Sequence, residues 1–417
     1  MAERDRLTTR DRLATPKAVG IVWLLLGINT MGSAGAKTII PLPRSVIQLV
    51  TMGSLVAAFA LALALNTRLR IRPSAFVLLL TLLLVPSVIS SLGIGPGGLF
   101  RCCRLALFIG TLWLLSCWWD GSLTFVRYHI RMYFGILVTV VAGLAISPGA
   151  AMPELYGGRL VGALWPLTPP QIGQYTAVII GLTVLLLVGR RIDRTSAAVV
   201  IVPCLVLLAL THTRTATVGL LAGLAVAICS LLLTSAAARR FFGWSVLVVT
   251  VAGVGFAGAV QAWFLRGQNK EYFTSLTGRA KVWDALLAAP RTGAEQLFGT
   301  GLGDKSFGGL PIDNSWLAVY NEQGLIGVTL VASVLLVLLA VALLRPPSLQ
   351  RACAIFLISY VVLSSYTEAG LGDASPYLLH LALAATLLAA PADSAPLPTP
   401  TEPRRRIPRW AREREVS

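Results

Sequence analysis

The sequence predicts an all-α, polytopic membrane fold, and three observations carry that prediction. Hydrophobic residues make up 56% of the chain and charged residues 13%; mean hydropathy is +0.76; and apolar windows long enough to cross a bilayer recur along most of its length. An ordinary water-soluble domain is excluded by that balance. Windows of about 20 residues give about twelve spans. They begin near Ala18, Ser45, Ser74, Cys102, Tyr128, Gln171, Thr195, Thr215, Gly243, Trp316, Leu349 and Ser375.

A net charge of +17 raises nucleic acid as a partner, but the positives fall on alternate loops. Arg4 to Lys17, Arg68/Arg70/Arg72, Arg190/Arg191/Arg194, Arg239/Arg240, Arg345/Arg351 and Arg404–Arg406 all fall on one side. The positive-inside rule makes that side the cytoplasm, with both termini inside, and accounts for the charge through orientation. No cleavable signal peptide is predicted, because the first apolar stretch lacks a small-residue cleavage site. The six cysteines lie in or beside apolar spans without metal-ligand or disulfide spacing, and read as small core residues.

Residues 1–17 form a basic tail, 18–390 the transmembrane domain and 391–417 a Pro/Arg-rich tail. In the first five spans little chemistry shows. Gly93–Gly98 is an outer turn rather than a phosphate loop, since no lysine or helix opening follows in the required places. The outer loop from Pro148 to Pro170 holds Glu154, Tyr156, Arg159 and Trp165, an interface anchor or a sugar contact, and Pro169-Pro170-Gln171 opens the next helix. Leu210–Ala216 reads THTRTA at its centre and is a hairpin with almost no loop. It puts Arg214 at the outer membrane boundary, where an arginine is costly unless paired or hydrated, so Arg214 is a functional candidate and snorkelling the alternative. His212 is a hydrogen-bonded residue or a proton carrier; His129 and His380 read as structural.

The longest extramembrane segment runs from Arg266 to Asp313, on the outer side. A helix around Glu271–Ala289 carries Arg279, Lys281 and Trp283, a second cationic site with an aromatic. Gly299–Gly309 follows, and its GxGxG spacing lacks the βαβ setting of a dinucleotide loop. Asp313-Asn314-Ser315 then caps a helix beginning near Trp316, whose first turns hold Glu322 and whose apolar run extends from Gly324 to Leu344. Glu322 lies nine residues after Asp313, on the opposite face of an unbroken helix. A pairing of Glu322 with Arg214 stands beside the simpler reading of an interfacial carboxylate. The outer turn Tyr366–Pro376 holds Glu368 and Asp373.

Arg214 and Arg279 on one side suit a phosphate or pyrophosphate, because guanidinium forks bind phosphate oxygens bidentately. Lys270, Lys281 and Lys305 add field. Asp313 at a helix start is placed to accept a proton from a hydroxyl. The pattern points to group transfer with a phosphate leaving group, without metal or cofactor.

The line from Phe298 to Gly327, FGTGLG…DNSWL…E-x-G-L-I-G, resembles the O-antigen ligase and O-antigen/exopolysaccharide polymerase superfamily. The THTRTA turn at Arg214, the Gly278-Arg279…Trp283 segment and the Pro170-Gln171 helix entry are similar to that family's short motifs. About half the chain, Leu167 to Leu344, is covered. The resemblance implies a GT-C-like membrane glycosyltransferase whose donor is a glycan on polyprenyl pyrophosphate and whose acceptor is a glycan or glycolipid hydroxyl. It implies pyrophosphate binding by Arg214 and Arg279, with Asn314, Lys281, Trp283, Gln171, Arg159 and Glu322 as further substrate contacts. Asp313 falls where the family has histidine, a departure that favours polymerase over ligase. A transporter of an anionic solute or lipid-linked glycan, or an envelope-assembly scaffold, is the alternative; no internal repeat of the transporter kind is seen.

Overall fold

We describe the protein from a computed structural model over residues 16–31, 38–93, 95–231, 279–303 and 305–389, and among these residues eleven apolar helices build its body. The expected span near Gly243 and the expectations on Arg239, Arg240, Lys270, Gly278 and the two tails lie outside the described residues. Six of the helices are long and apolar enough to cross a membrane. They are α2 (Arg44–Leu65), α4 (Pro96–Leu115), α5 (Thr124–Ile146), α6 (Pro169–Val188), α7 (Arg194–Thr211) and α11 (Ser315–Leu344). Five shorter apolar ones join them: α1 (Lys17–Asn29), α3 (Ala75–Ser91), α8 (Arg214–Cys229), α12 (Leu349–Ser364) and α13 (Pro376–Leu387). Two polar helices, α9 (Arg279–Ala288) and α10 (Gly293–Phe298), belong to the long loop.

Most expected starts fall within two residues of the observed ones, because Ser74, Asp193, Asn314, Ser348 and Ser375 cap their helices with side-chain oxygens. Two helices begin earlier than the apolar windows indicated, α4 at Pro96 rather than Cys102 and α5 at Thr124 rather than Tyr128. In α4 the reason is visible: Arg101 and Arg104 sit inside the helix with carbonyl or carboxylate partners, so charge did not end it.

The most buried elements are α6, α12 and α13. Every residue of α13 is buried, and in α6 only Pro170, Gln171 and Leu187 are not. Glycines set these packing distances: a Cβ at Gly181 would overlap the Phe356 ring, and one at Gly219 would crowd Tyr360. Small residues at helix contacts let the facing helix approach closely. Large apolar side chains on α2, α3 and α7, such as Leu49, Leu82 and Val199, point outward as a lipid-facing surface requires.

A polar chain crosses this core. Trp23 Nε1 donates to His129 Nδ1 at 3.1 Å, His129 Nε2 meets His380 Nδ1 at 3.0 Å, and His380 Nε2 meets the Gln174 amide at 3.0 Å. Because Trp23 can only donate, neutral rings order every proton toward Gln174, which must then present its oxygen. The histidines are thus satisfied core residues, as the sequence indicated. All six cysteines are free.

The helix α11 is broken. Gly324 has φ 67° and ψ −164°, a conformation essentially restricted to glycine. The Gly299 backbone packs against the break so closely that a Cβ on either glycine would overlap the other segment. Thr300 and Gly301 then donate their backbone N–H groups to the carbonyls of Asn321 (2.8 Å) and Glu322 (3.0 Å). Carbonyls near the break find partners in the glycine-rich loop, and this is what that loop does. The break falls at the residue where the apolar run was expected to begin. Beyond the loop, β1 (Ser306–Phe307) and β2 (Leu310–Pro311) pair antiparallel across Gly308 and Gly309. Both glycines have positive φ, as a type I′ hairpin requires.

Candidate functional site: an arginine–carboxylate cluster at one end of the bundle

Hydrogen bonds gather the connections at one end of the bundle. Leu160 N–H donates to Leu210 O, Thr213 Oγ1 to Pro169 O, Asn314 Nδ2 to Tyr366 O, and Thr215 Oγ1 meets Thr367 Oγ1 at 2.7 Å. Four regions distant in sequence, around 159, 213, 313 and 367, are joined in this way.

Arg214 is the first residue of α8, after a tight turn in which His212 adopts φ 48° and ends α7. The near-absence of a loop expected here is what the structure has. Arg159 lies beside it, its Nε donating to Thr211 O at 2.8 Å and its Nη2 to Thr213 Oγ1 at 3.3 Å. These bonds tie the Arg159 side chain to the turn that precedes Arg214.

Arg279, at the first turn of α9, holds Asp313 with two nitrogens: Nε at 3.2 Å and Nη2 at 3.1 Å from Oδ2. Trp283, one helical turn on, donates Nε1 to Ile312 O at 2.7 Å and so fixes α9 against the same strand end. Asp313 itself has φ 42°, uncommon for a non-glycine residue, and stands just outside the cap of α11.

Glu368 completes the cluster, and the motif reading did not assign it to the site. It lies half-buried in the turn after α12, held by Ser315 Oγ, which donates to the Glu368 carbonyl at 2.7 Å. Burial pushes its carboxyl up to about 7; Arg279 opposes that rise, Asp313 adds to it and Arg159 opposes it. Burial lowers the Arg159 guanidinium, Glu368 counteracts this, and Arg279 and Arg214 push it further down. Arg159, Arg279, Asp313 and Glu368 therefore act on one another across this end of the bundle, and Arg214 acts on Arg159. Its sequence signal was slight: a carboxylate in a short turn between apolar helices.

Several expected contacts are already committed elsewhere. Asn314 caps α11, accepting from Trp316 N and Leu317 N at 2.9 and 3.1 Å, so its oxygen is not a substrate contact. Gln171 Oε1 accepts from the Thr168 N–H and hydroxyl, closing the start of α6. Lys281 is exposed on α9. Glu322 is buried and accepts from Gly303 N at 2.9 Å; it does not pair with Arg214. Lys305 bonds Asp373 at 3.4 Å, and Arg104 lies 3.8 Å from the same oxygen. Burial alone would raise Asp373, but Lys305 and Arg104 hold it below the ordinary carboxylate value. Glu322, Lys305 and Asp373 form a second polar cluster, separate from the arginine site.

Chemically, the first cluster combines planar guanidinium forks, a geometry that matches phosphate oxygens, with a carboxyl, Glu368, raised to about 7. A comparison with protein-family models finds no match, and a comparison with curated proteins finds none either.

Proposed function

We propose that the chain is a glycosyltransferase of the cytoplasmic membrane, similar to the O-antigen ligase and polymerase superfamily. In this reading it crosses the bilayer about twelve times, keeps both termini in the cytoplasm and works at the outer face. It moves a glycan from polyprenyl pyrophosphate onto an acceptor sugar hydroxyl, extending a polymer rather than capping a lipid.

One observation carries the reading: Arg159 lies within electrostatic reach of both Arg214 and Arg279, which are far from it in sequence, and Arg159 and Arg279 both reach Glu368. Three guanidinium groups gathered with the carboxyls of Asp313 and Glu368 suit a multiply charged anion as their ligand. The acceptor oxygen attacks the anomeric carbon, the bond from that carbon to the pyrophosphate oxygen breaks, and the electron pair leaves on the pyrophosphate. The arginines stabilise that charge, and the acceptor proton passes to a carboxylate; inversion at the sugar follows. Asp313, with one oxygen engaged by Arg279, suits orientation of that arginine. Glu368, titrating near neutrality, suits the base.

The test is release of polyprenyl pyrophosphate coupled to glycan lengthening, with purified protein and a lipid-linked oligosaccharide. Loss of both in Arg214→Lys, with the protein still folded, supports bidentate phosphate binding. Full activity in Arg214→Lys overturns it, and transfer to a non-identical acceptor makes the protein a ligase.

A further inference from the structure

A second cationic site lies apart from the arginine cluster, at the end of the bundle where α1 finishes and α2 and α4 begin. A cavity of about 380 Å³ opens there, lined by Asn29, Arg44, Gln48, Thr51, Arg101 and Arg104 among others. Three guanidinium groups around so small a space repel one another unless an anion or a carboxylate intervenes. Arg104 shares Asp373 with Lys305, and Glu322 lies within reach of Arg101, so the positive charge remains in excess. Arg44 and Arg101 form no ion pair among the described residues. Arg101 donates to Gly303 O instead, and Arg104 to Asn29 O at 2.8 Å and Ala374 O at 3.1 Å.

The wall also holds an unmet polar group. Asn29 is 0% exposed; its Nδ2 donates to Thr51 O at 2.8 Å, and its Oδ1 has no partner. A buried acceptor left unpaired costs roughly 1–3 kcal/mol and is a standing invitation to a donor. A hydroxyl or a protonated oxygen of a ligand supplies that donor, while the guanidinium groups take its unprotonated oxygens. The cavity therefore suits a hydrogenphosphate-like group or a phosphate ester bearing a neighbouring hydroxyl.

Its setting adds an apolar requirement. Of the six long apolar helices α2 is the least enclosed, and Leu49 (73%) and Val46 (38%) are exposed on it, with Phe100 (48%) exposed on α4. These side chains lie on the same two helices as the cavity wall, so a chain attached to the anion has an apolar surface to follow. We propose that this cavity binds the phosphate head of an amphiphile, with Arg44 and Arg101 as its principal charged contacts and Asn29 accepting from its hydroxyl. The inference is independent of glycan transfer.

The full chain in phosphatidylcholine nanodiscs is titrated calorimetrically with dihexanoyl phosphatidic acid and, separately, with inorganic phosphate. Saturable binding of the lipid, weakened about tenfold or more by Arg44→Gln and unchanged by Arg68→Gln at the opposite end, is the expected result. Ile47→Trp, which narrows the cavity without removing a charge, weakens it as well. If inorganic phosphate binds with the same dependence on Arg44, the anion alone is recognised; if only the lipid binds, the chain contributes. No saturable binding of either probe by a folded protein, or equal effects of Arg44→Gln and Arg68→Gln, overturns the proposal.

Discussion

Arg279 places two of its nitrogens on the same oxygen of Asp313, Oδ2, at 3.2 and 3.1 Å. The two residues come from opposite sides of the glycine-rich loop, and the pairing orients the guanidinium plane. Side-chain exposures of 25% and 34% make this a partly solvated pair, so its role is geometric more than stabilising. Arg279→Lys keeps the charge and loses the fork. We expect turnover of lipid-linked glycan to fall by about tenfold or more, with melting temperature nearly unchanged. Equal turnover in the two proteins would show that only charge matters there.

The carboxyl of Glu368 sets a pH dependence with a definite sign. Its pKa is raised from the ordinary carboxyl range to about 7, chiefly by burial. As a base it acts when deprotonated, so activity rises as pH passes upward through about 7. Stability runs the other way: the folded state holds the proton more tightly, so this contribution is fully present below the unfolded pKa and is lost as pH climbs through the folded one. Glu368→Gln removes both trends at once. Kinetics and thermal melts from pH 5 to about 9 check this, and an unchanged activity profile would remove Glu368 from the proton transfer.

The positions of the helices could be read from the sequence because the cue is local. Apolar length and a capping Ser, Asp or Asn state where a helix starts, as at Asn314 for α11 and Ser348 for α12. The break at Gly324 could not be read this way. An apolar run continues through it, and only the Gly299 backbone, far back along the chain, shows why a glycine stands there. The arginines were legible through type and position, since an arginine at a membrane boundary demands an explanation. Glu368 was not, because its importance arises from Arg159 and Arg279, which the fold brings to it. The partner of Glu322 was not legible for a related reason: distance along a helix says nothing about a loop that folds back to bond its carboxylate.

The capping residues give a test that separates structure from substrate binding. Asn314 spends its oxygen on two backbone N–H groups. Asn314→Ala removes that cap and costs roughly 1 kcal/mol, whereas Asn314→Asp retains an accepting oxygen. We expect a lowered melting temperature for the first and near-native stability for the second, with KM for the donor unaltered in Asn314→Asp. A large rise in KM for Asn314→Asp at native stability would return Asn314 to the binding site.

The glycine pair at the helix break makes the strongest claim on stability. At Gly324 a side chain meets two penalties together, a backbone conformation costing on the order of 1–3 kcal/mol for other residues and overlap with the Leu297 carbonyl. Gly299, with φ 82° and ψ −173°, faces the same penalties against Glu322 and Gln323. Gly53 lies inside α2 with nothing within 4 Å of a Cβ. Alanine there is expected to be neutral or to stabilise by up to about 1 kcal/mol. Gly324→Ala and Gly299→Ala should each lower the melting temperature by many degrees, and the double variant by less than their sum, since both disrupt the same close approach. Because Gly303 binds Glu322 from the same loop, loosening it should also expose Glu322. Faster hydrogen exchange at the amides of Thr300 and Gly301 in Gly324→Ala reads that loosening directly; unchanged exchange at those two amides would mean that the loop is held by other contacts.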